Sequence, residues 1–142
     1  GTLDTFLGTS VGGATLQSRL GGWMGALAPY RGRSIVTYHR DWSYFVARFG
    51  LVVADNVEPK PGIQPSARHL EELVASLGKN GLNLIVTRPY VEHRSTDYLA
   101  EKTGVTVLTL PIEVGGDPAA GDYFALFDLI TSRLAAALGK GK

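Results

Sequence analysis

Three histidines (His39, His69 and His93) and the carboxylates Glu58 and Glu113 stand out as side chains that could hold a metal ion or move a proton. The chain has no cysteine. Disulfides, thiolate nucleophiles, iron–sulfur clusters and cysteine-type zinc sites are therefore excluded. A transition-metal site is confined to imidazole, carboxylate and water. His39 closes the β-rich run Ser34 to His39, in Val36-Thr37-Tyr38-His39-Arg40-Asp41-Trp42. Neutral imidazole is the commonest transition-metal ligand, and a strand end holds it more rigidly than a loop would. The other reading of that position is a histidine bonded to a neighbouring backbone group. Glu58 opens the proline-rich stretch Glu58-Pro59-Lys60-Pro61-Gly62. It is expected to hold that loop through hydrogen bonds or to orient a liganding imidazole, with Lys60 as a local ion-pair partner. Glu113, in Pro111-Ile112-Glu113-Val114-Gly115-Gly116, reads from its position alone as a solvated loop acid. His69 reads as a surface or capping residue, and His93 as a residue at the mouth of a cleft. Tyr38 and Trp42 are placed with Glu58 as residues that position His39 or its loop, and Trp42, Tyr44 and Phe45 as packing around it.

The elements that must carry these residues follow from periodicity and punctuation. After the strand ending at His39, Asp41 is a good N-cap for a short helix from Trp42 to Phe49, which Gly50 ends. Leu51 to Val57 is a strand, and Pro59, Pro61, Gly62 and Pro65 form a stiff loop. Ser66 caps a helix from Ala67 to Leu77 with Leu70, Leu73, Val74 and Leu77 on one face. Leu82 to Thr87 is a nearly continuous apolar strand, and Ser95 to Thr103 is a helix closed by Gly104. Val105 to Leu110 is a further strand, and Tyr123 to Leu138 is the longest helix, with Lys140 and Lys142 suiting its C-terminal end. This alternation predicts an α/β fold: a four-stranded, mainly parallel sheet with helices on both faces. Ligands of such sheets lie beyond the carboxyl ends of the strands, which selects His39, Glu58, the Pro89 to His93 segment and Pro111 to Gly116. Residues 1–30 read as a glycine-rich arm, with Leu16, Leu20, Trp23, Met24 and Leu27 at roughly helical spacing before Pro29. Residues 31–142 form the α/β unit.

At 142 residues, 44% hydrophobic and 19% charged, the chain suits one compact domain rather than disorder. Its 14 basic and 13 acidic residues leave a net charge of +1, without a basic stripe to suggest a nucleic-acid partner. The apolar runs Thr2 to Leu7 and Ile35 to Tyr38 are too short to span a bilayer. No signal-peptide pattern opens the sequence, so a secreted protein would appear here in mature or trimmed form. Gly8-Thr9-Ser10-Val11-Gly12-Gly13 lacks the lysine and flanking strand of a phosphate cradle, and the sequence has no Gly-x-Ser-x-Gly elbow. The reading is therefore not an enzyme. A flavodoxin-like small-ligand module and a small α/β hydrolytic enzyme are the alternatives, because fold alone does not fix function.

Tyr38-His39, Trp42, Tyr44-Phe45, Phe49-Gly50 and Glu58-Pro59-Lys60-Pro61-Gly62 with Pro65-Ser66 resemble the C-terminal lobe of the zinc/manganese solute-binding proteins of ABC transporters. His69-Leu70, Gly115-Gly116 and Asp122-Tyr123-Phe124 extend the resemblance, which covers about residues 30 to 139. The resemblance implies two α/β lobes joined by a long helix, with the metal held between them. It implies one ligand from the end of the second lobe's first strand, at His39, and in many members a carboxylate after its last strand, near Glu113. Zinc, with manganese as alternative, is the implied ion. The implied partners are a membrane permease and an N-terminal lobe that this chain is too short to include. Leu16 to Pro29 would be a remnant of the connecting helix, and an exposed lobe face would favour a homodimer. The implied location is periplasmic or extracellular, membrane-anchored in the precursor.

Overall fold

The computed structural model describes residues 2–19, 21–60, 62–79 and 81–140. Leu20, Pro61 and Lys142, named above, lie outside the described residues. The N-terminal region is a series of short pieces: helix α1 (Leu3–Leu7), a hairpin of β1 (Ser10–Val11) and β2 (Ala14–Thr15), and a 3-10 turn at Leu16–Arg19. Helix α2 (Gly22–Leu27) follows and runs into a second 3-10 turn at Ala28–Tyr30. The helix expected to run from Leu16 to Pro29 is thus interrupted. Gly21 is extended and Gly22 has φ 54°, a left-handed conformation that glycine adopts without steric cost.

The regular part of the chain alternates β3 (Ser34–Thr37), α3 (Ser43–Phe49), β4 (Val52–Asn56), α4 (Ala67–Ser76), β5 (Leu84–Thr87), α5 (Arg94–Thr103), β6 (Thr106–Thr109) and α6 (Tyr123–Gly139). The four strands form one parallel sheet in the order β4-β3-β5-β6, as the alternation predicts. The central strands are buried on both faces because helices cover both sides. Ile35, Leu84 and Val86 pack with Leu27 of α2, Val46 and Phe49 of α3, and Ile130 and Leu134 of α6. Val36 and Ile85 face the opposite way, against Leu73 of α4 and Leu99 of α5.

Local signals fix most helix ends. The Ser66 hydroxyl accepts the His69 N–H at 3.2 Å, and the Asp122 carboxylate accepts the Ala125 N–H at 2.8 Å. Gly50 and Gly104 close α3 and α5 with φ 73° and 70°. Asp41 is a correction. The N-cap of α3 is Trp42, with no side-chain cap, because the Asp41 carboxylate lies 3.4 Å from the Arg88 guanidinium instead. At Gly50, a Cβ would stand 2.7 Å from the Arg31 guanidinium carbon, on top of the left-handed backbone. Gly50→Ala is expected to lower unfolding stability by about 1–3 kcal/mol in denaturant titrations. An unchanged midpoint would mean that neither constraint operates.

Candidate functional site

In the sheet order, the chain leaves β3 toward β4 on one side, and leaves the neighbouring strand β5 toward β6 on the other. The carboxyl ends of β3 and β5 therefore diverge and open a crevice, the switch point where ligands of open α/β sheets bind. His39 stands two residues beyond β3 and Arg88 directly beyond β5. The Asp41–Arg88 ion pair joins the two loops across the gap.

The His39 side chain is 10% exposed and meets the Tyr38 ring edge-on, with centroids 4.7 Å apart. Its Nδ1 is sealed from solvent without a hydrogen-bond partner among the described residues. The nearest acidic atom, Glu58 Oε2, is 3.8 Å away, beyond hydrogen-bond reach but close enough for a small closure. Glu58 is itself buried, and its N–H donates to the Tyr38 carbonyl at 2.9 Å. Glu58 is thus fixed through its main chain, with its carboxylate facing the ring of His39. The expected Glu58–Lys60 ion pair does not form among the described residues, and Lys60 is exposed.

Burial, and secondarily the charges of Glu58 and Glu92, push the Tyr38 phenol above its ordinary range. The folded chain then holds this proton to higher pH than the unfolded chain does. The stability it contributes is complete below about pH 10, the unfolded value, and is lost as pH rises through the higher folded one. Absorbance titration of the phenolate band should show one tyrosine ionising late, and Tyr38→Phe should remove that step. A late step that survives in Tyr38→Phe would contradict this assignment.

The other site residues are more dispersed. Glu113 is exposed after β6, beside a cavity of about 210 Å³ lined also by Arg88, Tyr90, Pro111 and Gly116. His39 does not line that cavity. Strand β5 separates β3 from β6, a spacing of roughly 10 Å between the two loops' parent strands. Among the described residues, no group of three or more histidines or carboxylates lies together to hold a metal. Trp42 is buried edge-on to Phe45 at 5.5 Å, in the cluster between α3 and α6. Tyr44, expected to pack around His39, projects into solvent at 92% exposure because it sits on the outer face of α3. His69 corrects its surface or capping reading: Nε2 bonds the Asn56 carbonyl at 2.8 Å, and the ring is half-buried. His93 is exposed before α5 and makes no side-chain cap.

Sequence reasoning passed over Thr37, Asn56 and Tyr90. Thr37 and Asn56 are cross-strand partners at the last positions of β3 and β4, and both are buried. A polar residue near the end of each of two strand-like segments was the available signal. Tyr90, beyond β5, has φ 67° and is 90% exposed, an uncommon backbone for a non-glycine residue.

A doubly wound parallel sheet with an imidazole and a buried carboxylate at its switch point defines a small α/β lobe. The chain belongs to the family described as zinc-uptake complex component A, periplasmic (ZnuA), whose model matches residues 19–137. Among solved structures, that of ZnuA is similar at 24% identity and a TM-score of 0.66, covering 82% of this chain and 42% of that one. The periplasmic zinc-binding protein TroA from Treponema pallidum is similar at 22% identity and a TM-score of 0.65, covering 82% and 45%. The solute-binding protein FpvC from Pseudomonas aeruginosa, solved in complex with Mn2+, is similar at 21% identity and a TM-score of 0.66, covering 84% and 47%. The chain thus spans less than half the length of these structures. No curated protein sequence matches it. Among the described residues no helix is long and apolar enough to cross a membrane.

Proposed function

We propose that this chain is the C-terminal, metal-facing half of a periplasmic or extracellular zinc-binding protein that delivers its ion to the permease of an ABC transporter, without enzymatic activity. The family match over residues 19–137 carries the reading. His39 is the metal ligand in this reading. With Nδ1 directed at Glu58, Nε2 is the nitrogen left for a metal, and closure of the 3.8 Å gap would let Nδ1–H donate to the carboxylate. The donor set suits zinc as cargo, with manganese as the alternative ion. Glu113 is a second ligand only if its loop moves toward His39, since the two residues line no common cavity.

Residues 1–30 are proposed as an arm that includes the end of a connecting helix, and residues 31–142 as the lobe itself. A first lobe of the family kind would cover the mouth of the sheet. Tyr44, Tyr90, Ile112, Val114, Tyr123 and Phe124 are all exposed on segments that follow strand ends. An apolar rim of this kind suits a partner surface, either the other lobe or a second copy of the chain. A single imidazole with at most one carboxylate falls short of the three or four ligands of a tight zinc site. Calorimetric titration should therefore give weak binding of one zinc to the chain alone. Adding the first lobe of a family member as a separate polypeptide should tighten it. Absence of zinc binding under both conditions would refute the proposal.

A further inference from the structure

Where the ladder between β3 and β4 ends, side chains take over from the backbone. The N–H groups of Val57 and Glu58 donate to the Thr37 and Tyr38 carbonyls, each at 2.9 Å. The next carbonyl, that of His39, is met by side chains instead. The Thr37 hydroxyl donates to it at 2.8 Å and the Asn56 amide nitrogen at 3.3 Å. The same amide nitrogen donates to the Thr37 hydroxyl oxygen at 2.6 Å, closing a three-way junction. Thr37 is fully buried and Asn56 is 8% exposed, so water competes little for these bonds. On its far side, the Asn56 carbonyl bonds His69 Nε2, which ties the end of β4 to α4.

We infer that Thr37 and Asn56 are positioning residues that set the aim of the His39 imidazole by fixing its main chain. The inference rests on the reading of His39 as the zinc ligand. A metal ligand works when it is held within about 0.5 Å and 10–20° of its productive geometry. Beyond the ladder, the residue carrying the ring keeps that tolerance through whatever holds its peptide group. Here the holding group is the Thr37–Asn56 pair. Glu58 faces the ring, whereas Thr37 and Asn56 grip the backbone, so the two controls are physically separate. Partnership of the two residues across adjacent strands explains why a threonine and an asparagine are buried at these two strand ends.

The test uses zinc titrations followed by the NMR shift of the His39 ring proton, which reads weak and tight binding alike, with a thermal melt for each variant. Thr37→Val keeps the shape and removes the hydroxyl, Thr37→Ser restores it, and Asn56→Asp removes the amide donor at nearly constant volume. His39→Ala serves as the control for the ligand itself, with binding in that variant read by calorimetry. Thr37→Val and Asn56→Asp are expected to weaken zinc binding about 10–100-fold, and Thr37→Ser to bind close to wild type. Should Thr37→Val fail to fold, Asn56→Asp carries the same expectation. Variants that melt earlier yet bind zinc like wild type would reduce the pair to a structural role and overturn the inference. A wild-type chain whose His39 resonance ignores zinc, or an undiminished His39→Ala, would instead sink the ligand assignment, and the inference with it.

Discussion

Replacing His39 by alanine is expected to eliminate zinc binding by this chain, whereas His69→Ala and His93→Ala should leave it near wild type. The contrast follows from where the three imidazoles stand. His39 lies at the crevice between the diverging ends of β3 and β5, against a buried carboxylate. His69 has its Nε2 committed to the Asn56 carbonyl at 2.8 Å. His93 is exposed at the start of α5, and no three potential ligands gather among the described residues. Carboxylate and water without imidazole make a poor zinc site, so the loss should be close to complete rather than graded. Calorimetry on the three single variants checks this. Undiminished binding by His39→Ala would place the site elsewhere.

The largest effect on stability is expected at Leu134. This residue of α6 is 1% exposed, in the cluster formed with Ile35, Leu84 and Val86 of the central strands. Leu134→Ala removes most of a side chain that rigid neighbours enclose on every side. The loss should be about 2–5 kcal/mol, combining lost transfer energy with the cavity left behind. Single domains are stable by only about 5–15 kcal/mol, so a large part of the total would go. Tyr44→Ser is the contrasting case. It alters a large aromatic that is 92% exposed, and should shift the unfolding midpoint by no more than about 0.5 kcal/mol. Urea titrations of the two variants, side by side, decide whether burial rather than residue size governs the response.

What could be read from the sequence was the part written in local patterns. Ser66, Gly50 and Gly104 act within a turn of their own positions, and each bounds a helix as its residue type predicts. The nearly continuous apolar run from Leu82 to Thr87 predicts a strand buried on both faces, and Leu84 to Thr87 are all buried. Asp41 misled because its partner, Arg88, belongs to another strand end, and an ion pair across the crevice displaced the local cap. The link of His69 to Asn56 and the Thr37–Asn56 junction were hidden for the same reason. The first exists only once α4 folds back beside the end of β4, and the second only once β3 and β4 are set in parallel register, which one sequence does not state. His39 was legible as a strand-end imidazole. The Glu58 carboxylate could be placed beside it only as an expectation, and the fold brings the two to 3.8 Å.

The most direct test of the central claim is a zinc titration followed by nitrogen NMR of the imidazole side chains, which resolves both ring nitrogens of every histidine. The account predicts that Nε2 of His39 moves with added zinc while its Nδ1 stays protonated toward Glu58, and that His69 and His93 hold still. Zinc-dependent shifts confined to His69 or His93, or a His39 ring that ignores the ion, would contradict it.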